Sequence, residues 1–393
     1  MKVGILSCYN HKNYGSVLQS YATQRIVDKL GYDAVTIAYT KPINYMTQSK
    51  VKYYYHKITN MDILKGKIRL VLSRQNEKRY KDIVNGRRLR NQYFNRFVQK
   101  NFILTEMMEN RKKLSDYSLS CDTILVGSDQ LWNPINVEHD FYTLTFVPNE
   151  INKVSYATSI GTDNIPKYQM KTYKTFLDRI DSISVRETSG ADIISGLGIN
   201  KEVQVVLDPT LLFDRDEWMD IQTEKPLYNE KYIFCYFLGV NKDHRDFANG
   251  IKKLTGYKII ALQHLDEFVK EDMLFGDIKP YDIGPAEFIN LVRNAEYVCT
   301  DSFHGTCFSI INHKDFFAFN RYVCSNTQST NTRIDSLLTL TGLEDRRIVQ
   351  SLDLSTIKSK MRKKINYADV DKKIQHERNK SLEFLKKALK GKS

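Results

Sequence analysis

A chain of 393 residues is long enough for two domains, each with its own apolar core. With 41% hydrophobic, 27% charged and 11% aromatic residues it reads as globular, which excludes the disordered, collagen-like and membrane-embedded classes. The formal net charge of +13 is concentrated in one stretch: Val51–Lys113 carries 17 Lys or Arg against 5 Asp or Glu, a net of +12.

A cation cluster of this kind suits an anionic membrane surface or a polyanionic substrate, or it solvates exposed helix faces. No nucleic-acid-binding motif accompanies it, so nucleic acid is not an expected partner. The opening Met1–Leu6 lacks an apolar core of signal-peptide length, and no later run approaches the roughly 18 to 20 residues a spanning helix needs. A cytoplasmic location is expected, with peripheral contact at the inner face of the plasma membrane through Val51–Lys113. Cys8, Cys121, Cys235, Cys299, Cys307 and Cys324 lie in or beside apolar runs with no CxxC pair. Reduced core thiols are expected, with no disulfide framework and no metal.

In chain order, Lys2–Ser7 is a short β-rich run, Ser16–Leu30 is amphipathic and stops at Gly31, and Ala34–Ala38 is a second strand. This βαβ opening predicts a parallel doubly wound sheet. Residues 44–113 are basic and helix-prone, and are expected to form a helical insertion. Strands follow at Thr123–Val126, Lys153–Ala157, Ser182–Val185 and Val203–Leu207, with a helix near Lys167–Ile180. Beyond Pro226 a second series runs Tyr232–Leu238, a helix near Arg245–Leu254, Lys258–Leu262, a helix near Ala286–Asn294, and Tyr297–Thr300. A helix near Phe303–Asn312, a strand at Phe316–Phe319 and a charged amphipathic helix at Asp369–Lys390 complete the chain.

The α/β pattern is thus written twice. Two Rossmann-like domains facing a cleft are predicted: residues 1–182, with the insertion at about 44–115, and residues 183–350. The segment 351–393 is expected to pack back on the first domain.

In an open parallel sheet, ligands bind beyond the carboxyl ends of the strands. Three such loops are rich in polar and small residues. In Cys8–Ser16, Gly15 permits close backbone approach, and Ser16 with the free N–H groups of the helix start can take an anion; a simple tight turn and N-cap is the alternative. In Gly127–Pro134, Ser128, Gln130 and Asn133 suit hydroxyl recognition and Trp132 can floor a sugar ring. Asp129 there can accept a hydroxyl proton, or merely cap the next segment. In Thr300–Thr306, His304 falls in a predicted first helical turn, where its imidazole can exchange a proton near neutral pH. Arg186, ending the strand Ser182–Val185, can clamp a carboxylate or phosphate with two parallel bonds, or pair with Glu187 or Asp192.

Five motifs occur in order: Asn13-Tyr14-Gly15-Ser16-Val17-Leu18-Gln19, Val126-Gly127-Ser128-Asp129-Gln130-Leu131-Trp132-Asn133, Ser184-Val185-Arg186-Glu187, Asp208-Pro209-Thr210-Leu211-Leu212 and Asp301-Ser302-Phe303-His304-Gly305-Thr306. Together they resemble the polysaccharide pyruvyl transferase family over about residues 1 to 320. The resemblance implies a fold similar to GT-B glycosyltransferases and, without cofactor or metal, pyruvyl transfer from phosphoenolpyruvate (PEP) to two hydroxyls of a glycan or lipid-linked glycan. It implies that His304 protonates the enol carbon and Arg186 holds the PEP anion, with Gly15, Ser16, Ser302, Gly305, Thr306 and Arg321 beside the donor. Asn13, Tyr14, Ser128, Gln130, Trp132 and Asn133 are the expected acceptor contacts, and Asp129 the expected base. The chain departs from many members in carrying Ser302 where they have an arginine; Arg321 or Arg333 are the later cations that can enter. A GT-B glycosyltransferase using a nucleotide sugar, and a non-catalytic scaffold in polysaccharide assembly, are the alternatives.

Overall fold

The computed structural model describes residues 1–39, 81–137, 141–266, 268–321 and 332–391. The chain opens with β1 (Lys2–Leu6), α1 (Tyr14–Lys29) and β2 (Asp33–Thr36). Then come α2 (Lys81–Asn101), α3 (Arg111–Ser118), β3 (Thr123–Val126), β4 (Asn152–Thr158) and α4 (Met170–Leu177). The strand β5 (Ser182–Val185), α5 (Thr188–Gly196), β6 (Val203–Val205), a 3₁₀ turn at Pro209–Leu212 and α6 (Arg215–Met219) lead to the second half. That half contains β7 (Tyr232–Tyr236), α7 (Lys242–Thr255), β8 (Lys258–Leu262), α8 (Pro285–Asn294), β9 (Tyr297–Thr300) and α9 (Phe303–Ile311). It ends with β10 (Asp315–Phe319), α10 (Thr332–Thr341), β11 (Arg347–Ile348), α11 (Leu354–Arg362) and α12 (Tyr367–Leu389).

Two parallel sheets result, ordered β2-β1-β3-β4-β5-β6 and β11-β10-β9-β7-β8. Strands covered on both faces by helices favour apolar residues on both sides, which is why β7 reads as an unbroken hydrophobic run, β3 is apolar after Thr123, and both are buried throughout. Register sets the site. Leu6 pairs with Val126 and Val126 with Ser155, so the loops after β1, β3 and β4 leave the first sheet at one level. Tyr236 and Ala318 both pair with Thr300, which does the same for β7, β9 and β10 in the second.

The topology corrects the expected division at residue 182. The strands β5 and β6 belong to the first sheet, and the second begins only at Tyr232. The C-terminal helix α12 crosses to the first sheet: the Ser381 hydroxyl accepts from Leu207 N–H, and the Ala388 carbonyl accepts from the Asn152 amide.

Expected as amphipathic, α1 is buried nearly all round, because the first sheet covers one side while α8, α9 and the Pro209–Leu212 turn cover the other. Its buried polar residues therefore close on its own backbone: Ser20 donates to Ser16 O and Thr23 to Gln19 O. Part of the expected insertion, residues 40–80, lies outside the described residues. The described remainder joins the domains. Arg90 pairs with Asp266 at 2.7 Å and Arg87 donates to the Leu265 carbonyl, so cations expected to face a membrane instead hold α2 against the second half.

Among the described residues no helix is long and apolar enough to cross a membrane. Cys8, Cys121, Cys235, Cys299 and Cys307 are buried free thiols; Cys324 lies outside the described residues.

Candidate functional site

A pocket of about 220 Å³ opens where the strand-end loops of the two sheets meet. From the first half it is lined by His11, Asn13, Ser16, Asp129 and Gln130. From the second half come Asp301, Ser302, Phe303 and His304, with Arg321 and Arg333 at one side. Among the described residues no group of His, Cys, Asp or Glu is arranged to hold a metal.

Asp208 is the hub beneath this pocket. It stands just beyond β6, 1% exposed, and its Oδ2 accepts from Arg186 Nη1 at 2.6 Å and from the Ser128 hydroxyl at 2.8 Å. Its Oδ1 takes the Thr210 N–H and hydroxyl at 3.0 and 2.7 Å. From the other domain, His304 Nε2 stands 3.5 Å from Oδ2, at the limit of hydrogen-bond reach. Burial pushes the Asp208 carboxyl up, but His304, Arg186 and Thr210 outweigh it and hold it well below the carboxylate range.

Asp129 joins the loops after β1 and β3. Its Oδ2 accepts from the Ser16 hydroxyl at 2.5 Å, and its Oδ1 lies 3.8 Å from Arg186 Nη2. Its backbone sits at φ +85°, a conformation costing about 1–3 kcal/mol outside glycine, and is pinned by Ser159 N–H on its carbonyl. Strain retained at such a point aims the carboxylate into the pocket. Burial raises its pKa, yet Arg186, His304 and the Ser16 hydroxyl bring it down to about 2. The carboxylate is therefore ionised at neutral pH, the form that an acceptor of a hydroxyl proton must have.

His304 lies in the first turn of α9, whose N-cap is Ser302. Gly15 is not among the residues lining the pocket, and the imidazole fills the space a side chain there would need: a Cβ on Gly15 would stand 2.0 Å from His304 Nδ1. The expected donor contact at Gly15 is therefore corrected to a seat for the histidine ring.

Several other expected contacts point away from the pocket. Trp132 is fully buried, its indole N–H donating to Tyr142 O, so it cannot floor a sugar, and the Asn133 amide donates to Ile160 O outside the pocket lining. Tyr14 stacks on Phe288 at 4.8 Å and donates to Ile283 O, sealing the domain contact. Ser128 is held in the Asp208 network, and Gly305 and Thr306 close the first turn of α9 through the Ser302 hydroxyl and carbonyl. Arg186, its side chain only 2% exposed, lies behind Phe303 and borders a smaller cavity rather than this pocket. It braces the site through Asp208 and is not among the residues lining the pocket, although its Nε and Nη2 have no acceptor among the described residues. Asn13, Ser16, Gln130, Ser302 and Arg321 do line the pocket, Asn13 while also capping α1.

Asp208, His11, Phe303 and Asp301 were not among the expected site residues. All four sit in strand-end loops or the motifs quoted above, which is the signal that points to them. Asp301 spends its carboxylate on Leu238 and Gly239 N–H at 2.6 and 2.9 Å, shaping the loop after β7.

No curated protein matches the chain. Among solved structures, UDP-GlcNAc 2-epimerase from Methanocaldococcus jannaschii superimposes with a TM-score of 0.51 at 13% identity, covering 93% of each chain. UDP-N-acetylglucosamine 2-epimerase from Rickettsia bellii gives 0.50 at 11% identity, covering 98% of this chain and 95% of that one. At such identities the likeness speaks for the fold, and with the two parallel sheets it makes the architecture GT-B. The family described as polysaccharide pyruvyl transferase matches residues 13–321, which hold the Asp129, Arg186, Asp208 and His304 network. The chain belongs to the polysaccharide pyruvyl transferase family.

Proposed function

We propose that this transferase moves a pyruvyl group from PEP to two hydroxyls of a sugar in a cell-surface polysaccharide or its lipid-linked precursor, forming a cyclic ketal and releasing phosphate. The observation that supports this reading is the Asp208 hub, where one buried carboxylate meets both the histidine that faces the pocket and the arginine that braces it.

The chemistry needs an acid at carbon and a cation-tolerant site. His304 protonates the methylene carbon of PEP, and Asp208 stabilises the imidazolium that delivers the proton. The adjacent carbon becomes electrophilic and a sugar oxygen adds to it; phosphate leaves, and the second hydroxyl closes the ring. Two hydroxyl protons are lost: one restores the histidine and the other departs with phosphate. Asp129 faces the developing positive charge. It can take the proton of a sugar oxygen already bonded to the cationic carbon, which is strongly acidic, and pass it on to His304 or the departing phosphate, so that it ends the cycle ionised.

Mass spectrometry of candidate glycans incubated with PEP is expected to show the mass gain of a pyruvyl ketal, with one phosphate released per ketal. Turnover of UDP or GDP sugars in place of PEP would replace this reading with a nucleotide-sugar transferase acting from the same cleft.

Gly15→Ala tests the seating of the histidine. Displacing the ring by about an ångström is expected to lower kcat by roughly 10²-fold. Steady-state kinetics check this, with thermal unfolding run alongside to separate lost catalysis from lost fold.

A further inference from the structure

Arg333 is a buried cation that makes no ion pair among the described residues. It lies in the first turn of α10, 8% exposed, and its Nε is buried with no acceptor among the described residues. Its neighbour Arg186 has its charge met by Asp208 at 2.6 Å. Both guanidiniums lie against one phenyl ring, with Arg186 Cζ at 4.5 Å and Arg333 Cζ at 5.8 Å from the centroid of Phe303. The carboxylates that Arg333 feels, Asp129 and Glu187, stand outside ion-pair distance and have other partners: Asp129 takes the Ser16 hydroxyl, and Glu187 takes Ser159, Ile160 and Gly161.

A desolvated charge is costly unless an anion meets it. Burial, and then repulsion from Arg186, pull the Arg333 guanidinium down to about 10. Arg333 borders both the smaller cavity beside Arg186 and the pocket, and it is in the pocket that it stands beside His304 and Arg321, where an anion can meet all three.

We propose that Arg333 is a donor-binding residue whose guanidinium holds the phosphoryl oxygens of PEP through paired N–H···O bonds, an assignment that rests on the donor reading above. It lies beyond residues 13–321, so the matched family segment does not carry it. Arg186 then keeps the Asp208 network in place while Arg333 takes the ligand's charge.

The test is calorimetric titration of the full chain with PEP and, separately, with inorganic phosphate. Arg333→Met is expected to bind both probes at least about tenfold more weakly, and Arg333→Lys about threefold, because a point charge replaces a planar fork. KM for PEP should rise with these factors while kcat changes less, a split that a merely structural role would not produce. Thermal unfolding should show Arg333→Met no less stable than the parent, since an apolar side chain replaces an unpaired buried charge. Affinity of Arg333→Met for both probes within about twofold of the parent overturns the assignment; should that variant not fold, unchanged affinity in Arg333→Lys does so. A parent protein that binds a UDP sugar but neither PEP nor phosphate overturns the donor reading itself, and the assignment with it.

Discussion

His304→Gln is expected to lower kcat by about 10²–10⁴-fold, the usual contribution of a positioned acid, while the protein remains folded. Glutamine fills much of the volume of the imidazole beside Gly15 and retains hydrogen-bonding capacity toward Asp208, but it cannot deliver a proton to carbon. KM for the donor should move little, because the substitution leaves Arg333 and Arg321 in the pocket. Steady-state kinetics beside a thermal melt check both halves. An unchanged kcat in a folded variant would remove His304 from the reaction.

Asp208→Asn is expected to cost about 3–5 kcal/mol, because it leaves the Arg186 guanidinium buried without its charge partner. Asparagine keeps the shape of the side chain, so the loss reports charge rather than packing. Acid unfolding supplies a second signature. Asp208 and Asp129 bind protons more weakly folded than unfolded. Their stabilisation is complete above an unfolded value of about 4 and is lost as pH falls through that value toward the folded ones. Without Asp208, the melting temperature should fall less steeply between about pH 4 and pH 2 than in the parent. Parallel slopes in the two proteins would mean that the carboxylate is not held low in the folded state.

Much of the architecture was legible in the chain. Thr123–Val126, Ser182–Val185, Lys258–Leu262 and Tyr297–Thr300 form strands at the expected residues, because parallel strands buried on both faces are short, β-prone and largely apolar, with buried hydroxyls such as Ser184 bonded to the next strand. The helices α5, α6 and α10 were not foreseen. Thr188-Ser189-Gly190 opens α5 with poor helix formers, so tertiary contacts rather than propensity hold that turn.

For the site, the three strand-end loops were legible and the direction of each side chain was not. In the loop after β3, Ser128 turns inward to Asp208, Asp129 and Gln130 face the pocket, and Trp132 turns back into the core. The positive φ at Asp129 makes that reversal, and no alternation of residue types announces it.

Local composition and the order of motifs carried the fold class, the family and the identity of the loops, because these depend on near neighbours along the chain. Which carboxylate meets Arg186, which glycine makes room for His304, and that Arg333 Nε finds no acceptor among the described residues depend on residues brought together from distant segments and both sheets. Charge and exclusion act through space at a few ångströms, and only the folded chain sets those distances.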